Sequence, residues 1–297
     1  MSAWYRPLSA YAEGQLAQFL YADGQDRDLF THPRGEEALV PAGGLVSKIY
    51  SNPLTLYIGG ITAVLMELAE PRVRHGVWDH SVFPADPGLR LRRTALAAMV
   101  SIHAARSVSR RMIEGINKRH EAVTGTTDCG QTYRASDPEL LHWVHGTAAY
   151  GFIGAYDRYV ERLPPSSWDD VLGQVATVAR AYRVNEPPCT SAELHQMIGS
   201  MSSKLEPSDT LVTFLRLMET TPALPFLARG LQPLLIRAAI SLLPERVRGA
   251  IEFNDRGLRA GENAVVKLMV WGAGLLRLSN HPQSLAEDRL SLRPSVR

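Results

Sequence analysis

The segment "NKRHEAVTG", Asn117 to Gly125, places one histidine among basic residues near the end of a helical pattern. A neutral imidazole is a ligand for iron, zinc or copper. "HEAVT" begins like the H-E-x-x-H zinc motif but lacks its second histidine. A lone histidine seldom holds a bare ion, yet it suffices for haem, where the porphyrin supplies four ligands and the protein one. The alternative is a core histidine whose ring nitrogens find protein partners. Ile113, Ile116 and Val123 fall on the same helix face as His120, so the spacing turns the ring away from solvent.

Upstream, "DPGLRLRRTALAAMVS" sets Arg90, Arg93, Thr94, Ala97 and Ser101 on one helix face. Small side chains there allow a flat group to approach, and guanidinium groups suit carboxylates or oxygen-derived anions. On one straight helix Thr94 and His120 would stand roughly 39 Å apart at 1.5 Å per residue. To meet one ligand they need a helical hairpin, whose turn falls in "HAARSVS" with Ser107 or Ser109 as a cap. His142 and His145 form a further pair, three residues apart, able to ligate a metal but without evident companion ligands.

The elements that must carry these residues are helices. Apolar residues recur at helical spacing along nearly the whole chain, and no alternating β pattern stands out, so the fold class is all-α, a single large helical domain. Asn52-Pro53 opens a helix to about Leu68, and Asp137-Pro138-Glu139 opens another with a cap, a first-turn proline and an acid at the positive end of the dipole. A helix from about Ser167 to Tyr182 and one capped by Thr190 or Ser191 follow. The helices after Pro207 are broken at Pro222, Pro225, Pro233 and Pro244. The chain divides into an N-terminal helical extension over residues 1–45, a core over 46–204, a C-terminal helical part of the same domain over 205–280 and a flexible tail over 281–297.

Composition narrows the function. The 297 residues carry a net charge of only +2 and no nucleic-acid-binding motif, so no nucleic-acid partner is expected. The N-terminus lacks a signal-peptide pattern and the apolar runs are interrupted by Glu67, paired glycines or Lys267; a cytoplasmic chain without a transmembrane span is expected. Cys129 and Cys189 are too few and too far apart for a disulfide framework or structural zinc. No feature of the sequence fixes an oligomeric state.

Four blocks in order, "AVLMELAEPRVRHGVWDHSVF", "DPGLRLRRT", "KRHEAVTG" and "YRASDPELLHWVHGT", resemble the haem-dependent oxygenase family of the fungal MpaB-type enzymes and the bacterial latex-clearing rubber oxygenases. The resemblance runs from about Gly59 to Tyr159. It implies a globin-like helical core holding haem b and an oxygenase that uses O2 on a hydrophobic, unsaturated, isoprenoid- or lipid-like small molecule. By the same resemblance His120 is the proximal iron ligand, and Arg90 and Thr94 are the arginine and threonine of an R-x-x-x-T element beside the haem. His80, Tyr133, Arg134 and His145 become candidate cofactor-pocket residues, the tyrosine and arginine as propionate partners. Where the rubber oxygenases have a lysine before that threonine, this chain has Arg93, which stays protonated and cannot ligate. The distal position is then expected to be open or water-bound, with Arg93 a hydrogen-bond donor. The family's histidine before proline is Glu70 here. A haem sensor without turnover and a non-haem binder of apolar ligands remain alternatives.

Overall fold

The computed structural model describes residue 14 and residues 27–222, 226–276 and 278–291. Most of the expected N-terminal extension therefore lies outside the described residues. The described part is α-helical, as the periodicity predicts, with one small two-stranded sheet. The helices are α1 (Asp28–Thr31), α2 (Leu45–Ile49), α3 (Pro53–Ala69), α4 (Pro71–Trp78), α5 (Pro87–His103), α6 (Arg106–Ala122), α7 (Pro138–Tyr159), α8 (Pro165–Ala181), α9 (Ser191–Met201), α10 (Asp209–Thr220), α11 (Gln232–Leu242), α12 (Glu245–Ala250), α13 (Glu262–Gly274) and α14 (Pro282–Ser291).

The central pair is α3 and α7, which share the most extensive helix contact. Both start where local chemistry directs. Asn52 accepts hydrogen bonds from the Leu54 and Thr55 amides ahead of Pro53, and Asp137 accepts from the Glu139 amide. The two helices run antiparallel and meet backbone to backbone at Gly59 and Gly151, where a Cβ on Gly59 would lie 2.6 Å from the Gly151 carbonyl oxygen. Only glycine permits that approach. On one side of the pair lies α11: Thr62 Oγ1 donates to the Ala239 carbonyl and Tyr150 to the Leu242 carbonyl.

The predicted hairpin between Thr94 and His120 is present. Its helices α5 and α6 are joined at Ala104-Ala105, and Ser109 Oγ donates to the Val100 carbonyl across the turn. The cap differs from expectation. Ala105 precedes α6 and has no capping side chain; instead the Glu36 carboxylate accepts from the Ser107 amide and hydroxyl. A side chain from a distant loop thus does the work assigned to a local serine.

Two further differences stand out. Thr124–Thr126 and Thr132–Arg134 form an antiparallel hairpin, too short for alternation to reveal, with Gly125 opposite Tyr133. The expected flexible tail contains α14, held by Arg289, a residue only 1% exposed whose guanidinium donates to the Phe30, Glu36 and His103 carbonyls. Proline positions also act differently from expectation: Pro233 sits in the first turn of α11 and Pro244 precedes α12, so both start helices.

Candidate functional site

α5 and α6 pack on each other; α5 also packs on α1, α2 and α14, and α6 on α8. Neither makes extensive contact with α3 or α7. The central pair accordingly leaves one side partly uncovered. Tyr57, Gly60, Val64 and Glu67 follow helical spacing along that side of α3, and Leu141, Val144, Ala148 and Phe152 along that side of α7; all are half-buried. In an antiparallel pair these two faces look the same way, opposite to α11. α10 borders the cleft, with Tyr57 donating to the Met218 carbonyl and the start of α5 at Gly88 touching Thr221.

Charge crosses this cleft. Glu67, the only charged residue within α3, receives a hydrogen bond from Thr147 Oγ1 at 3.4 Å and lies within electrostatic reach of Arg90 on α5. Burial pushes its carboxyl up to about 7, against the lowering influence of Arg90 and then of Thr147. The Arg90 guanidinium is itself pulled down by burial, partly restored by Glu67 and lowered again by Arg93. Arg90 Nη1 donates to Thr94 Oγ1 at 2.9 Å, and that hydroxyl donates to the Arg90 carbonyl, so the two residues of the R-x-x-x-T element form one unit.

His120 completes the group from α6. Burial lowers its pKa, and Arg90 and Arg119 lower it further, which favours the neutral imidazole. Neither ring nitrogen has a hydrogen-bond partner, and Nδ1 is buried. The buried ridge of α6 is Ser109, Ile113 and Asn117, whose amide donates to the Ala181 carbonyl. Ile116 and His120 sit on the flank of that ridge, half-buried, so the histidine lies outside the packed core and within electrostatic reach of Arg90.

The other sequence candidates are placed as follows. Arg93 is exposed and without a hydrogen-bond or ion-pair partner, one turn before Ala97 on the Arg90 side of α5. Ser101, on the same predicted face, is buried and tied to Tyr182 and the Ala97 carbonyl, a packing contact. His80 Nε2 and the Tyr133 hydroxyl are 3.0 Å apart, in a cluster with His75 on α4 that no contact joins to Arg90 or His120. Arg134 is exposed on the β-hairpin. His145 on α7 is half-buried, with Nε2 buried and unpartnered and its pKa pushed down to about 4 by burial and then by His142. Among the described residues no group of three or more His, Cys, Asp or Glu side chains is placed to hold a bare metal ion.

Glu67 is the residue that sequence reasoning passed over, reading it only as a break in an apolar run. Its signal was its isolation, one carboxylate in a helix otherwise free of charge. Glu70 proves to be the N-cap of α4, buried, accepting from the Val73 amide at 2.8 Å and from Arg72 Nε at 2.6 Å. A separate groove of about 500 Å³, lined by Leu39, Arg110, Ile113, Glu114, Thr177 and Arg180, lies toward the N-terminal half of α6 and holds no histidine or buried carboxylate.

The family model described as "ER-bound oxygenase mpaB/B'/Rubber oxygenase, catalytic domain" matches residues 47–275. No curated protein and no solved structure matches the chain.

Proposed function

Since the chain belongs to the mpaB/rubber oxygenase catalytic-domain family, we propose that it is a haem b-dependent oxygenase acting with O2 on an apolar, unsaturated small molecule of isoprenoid or lipid type. The observation that carries the proposal is His120, whose imidazole is held toward its neutral form by burial and by Arg90, the same arginine that acts on Glu67, and whose Nε2 has no hydrogen-bond partner. The residues fit the cofactor. One imidazole is what haem requires of a protein, and the Nε2 of His120, unpartnered and not enclosed by the protein, is the ring nitrogen open to a ligand. Bound haem would supply the redox chemistry that activates dioxygen.

The remaining roles belong to the chain's own side chains. His120 would hold the iron through a ring nitrogen in its neutral form. Arg90, oriented by its bond to Thr94, presents a fixed positive charge to an oxygen-derived anion or a propionate. Arg93, a permanent cation that cannot ligate, would serve as a further hydrogen-bond donor at that edge. Glu67, with a carboxyl poised near neutrality, is able to take up and return a proton inside the cleft. The half-buried apolar side chains of α3 and α7, Val64, Val144 and Phe152 among them, accept the hydrocarbon part of the substrate and exclude water from it.

The test is spectroscopic first. Protein produced with ample haem is expected to show a Soret band that His120→Ala loses while its far-ultraviolet circular dichroism stays helical. A wild-type protein that remains colourless overturns the proposal. Carbonyl products from polyisoprenoid or unsaturated fatty substrates, absent with His120→Ala, then distinguish turnover from haem binding alone.

A further inference from the structure

α13 carries apolar side chains on two opposite faces. Val266 and Val270 are buried toward α3 and α11, the main chain of Val270 accepting a bond from Asn52. The opposite face is open: Val265 is 45% exposed, Leu268 65%, Trp271 63% and Leu275 48%. By helical spacing these four fall within an arc of about 120°. An open apolar face of this kind is normally covered, so it suits an apolar environment that the described residues do not provide.

We propose that this face of α13 docks on the surface of an anionic lipid bilayer. Three observations favour a bilayer over a second copy of the chain. The exposed apolar area of four such side chains is roughly 400 Å², about half of the ~800 Å² per partner that a stable protein interface buries. Trp271 and Lys267 are exposed on the open side, an aromatic ring with a polar edge beside a flexible ammonium, which is the pairing that suits the headgroup layer. From Asn263 to Leu276 there is no carboxylate, and Glu262 at the helix start is neutralised by Arg237 at 2.6 Å. The face therefore carries one lysine and no opposing carboxylate, a charge of the sign that acidic headgroups attract. Among the described residues no single helix is long and apolar enough to cross a membrane, and the docking is interfacial.

Vesicle flotation tests the inference without reference to haem or turnover. The full chain is expected to float with phosphatidylcholine vesicles containing phosphatidylserine and more weakly with phosphatidylcholine alone. Leu268→Ser/Trp271→Ser, confined to exposed positions, is expected to reduce partitioning about tenfold or more. Lys267→Glu is expected to remove only the gain due to phosphatidylserine. Should the double variant misfold, Val265→Ser supplies the same comparison at a milder site. A wild-type chain that stays with neither vesicle overturns the proposal. So does a dimer, seen by light scattering, that the double variant converts to monomer, because the face is then an interface between copies.

Discussion

Arg90 and Thr94 form a closed pair: the guanidinium donates to the threonine hydroxyl at 2.9 Å, and the hydroxyl donates to the arginine's own carbonyl at 2.9 Å. One turn of α5 thereby fixes a long, flexible side chain in a single direction. That direction brings its charge within reach of Glu67 on α3 and His120 on α6, residues from helices with no extensive contact.

Arg90→Gln removes the charge that these two groups share. Both are held down by Arg90, so the variant is expected to raise the Glu67 carboxyl further and to return His120 toward the ordinary imidazole value. Carboxyl and imidazole titrations by NMR in the haem-free protein check this, and an unmoved Glu67 rules out Arg90 as its counter-charge. Oxygenase turnover is expected to fall on the order of 10²-fold, the typical cost of losing one preorganised donor. Arg90→Lys keeps the charge but not the fork to Thr94 and is expected to fall between the two.

Glu67 makes stability depend on pH in an unusual direction. Its carboxyl is raised from 4.5 to about 7 in the folded chain, so between these values the folded state binds more protons than the unfolded one. This contribution is fully present below about pH 4.5, is lost as pH rises to about 7, and amounts to at most about 3 kcal/mol, less wherever water reaches the cleft. Glu67→Gln, which imitates the protonated form, is expected to be more stable than wild type at pH 8 and to lose that advantage by pH 5. Urea midpoints at the two values decide it; an equal difference at both removes the claim that the carboxyl titrates near neutrality.

The sequence was most legible where the rule is local. Asp137-Pro138-Glu139 and Asn52-Pro53 start helices through groups a few residues apart, and Thr190 forms a capping box with Glu193. Spacing also required the α5–α6 hairpin if Thr94 and His120 were to meet one ligand. Contacts across the chain were not legible. The cap of α6 comes from Glu36, and the environment that lifts Glu67 is assembled by α3, α5 and α7, with no pattern along the chain to announce it. Arg289, one of three arginines in a polar segment, gave no sign that three distant carbonyls would bury it.

The glycine crossing predicts a large effect from a small side chain. Gly151→Ala would press its methyl into the Gly59 carbonyl, and Gly59→Ala into that of Gly151, where backbone cannot give way without parting α3 from α7. Overpacking of this kind costs about 1–3 kcal/mol or more, against a gain of about 1 kcal/mol in helix propensity. Net destabilisation is therefore expected at both sites. Gly173→Ala in α8 is the control: nothing lies within 4 Å of the added carbon, so the propensity gain should appear alone. Urea unfolding of the three variants separates steric from intrinsic effects, and a neutral Gly151→Ala contradicts the close crossing.

A buried histidine pair should dominate acid unfolding. His103 and His281 pack edge to face with ring centroids 6.2 Å apart, beside the buried Arg289 that anchors α14. Burial and then His281 push His103 down to about 3, and burial pushes His281 down to about 4. The unfolded chain takes up both protons near the ordinary value of 6.5, whereas the folded chain refuses them. Stability is therefore full above about pH 6.5 and is lost progressively as pH falls toward 4, by several kcal/mol for two such groups. Glu67 works in the opposite sense over part of this window, so the clean measurement uses the Glu67→Gln background. There the urea midpoint is expected to fall steadily from about pH 7 to about pH 4, and His281→Asn, which retains an acceptor for the Gln283 amide, to flatten that fall. A midpoint that stays level without Glu67 would show that these histidines are not held neutral by the fold.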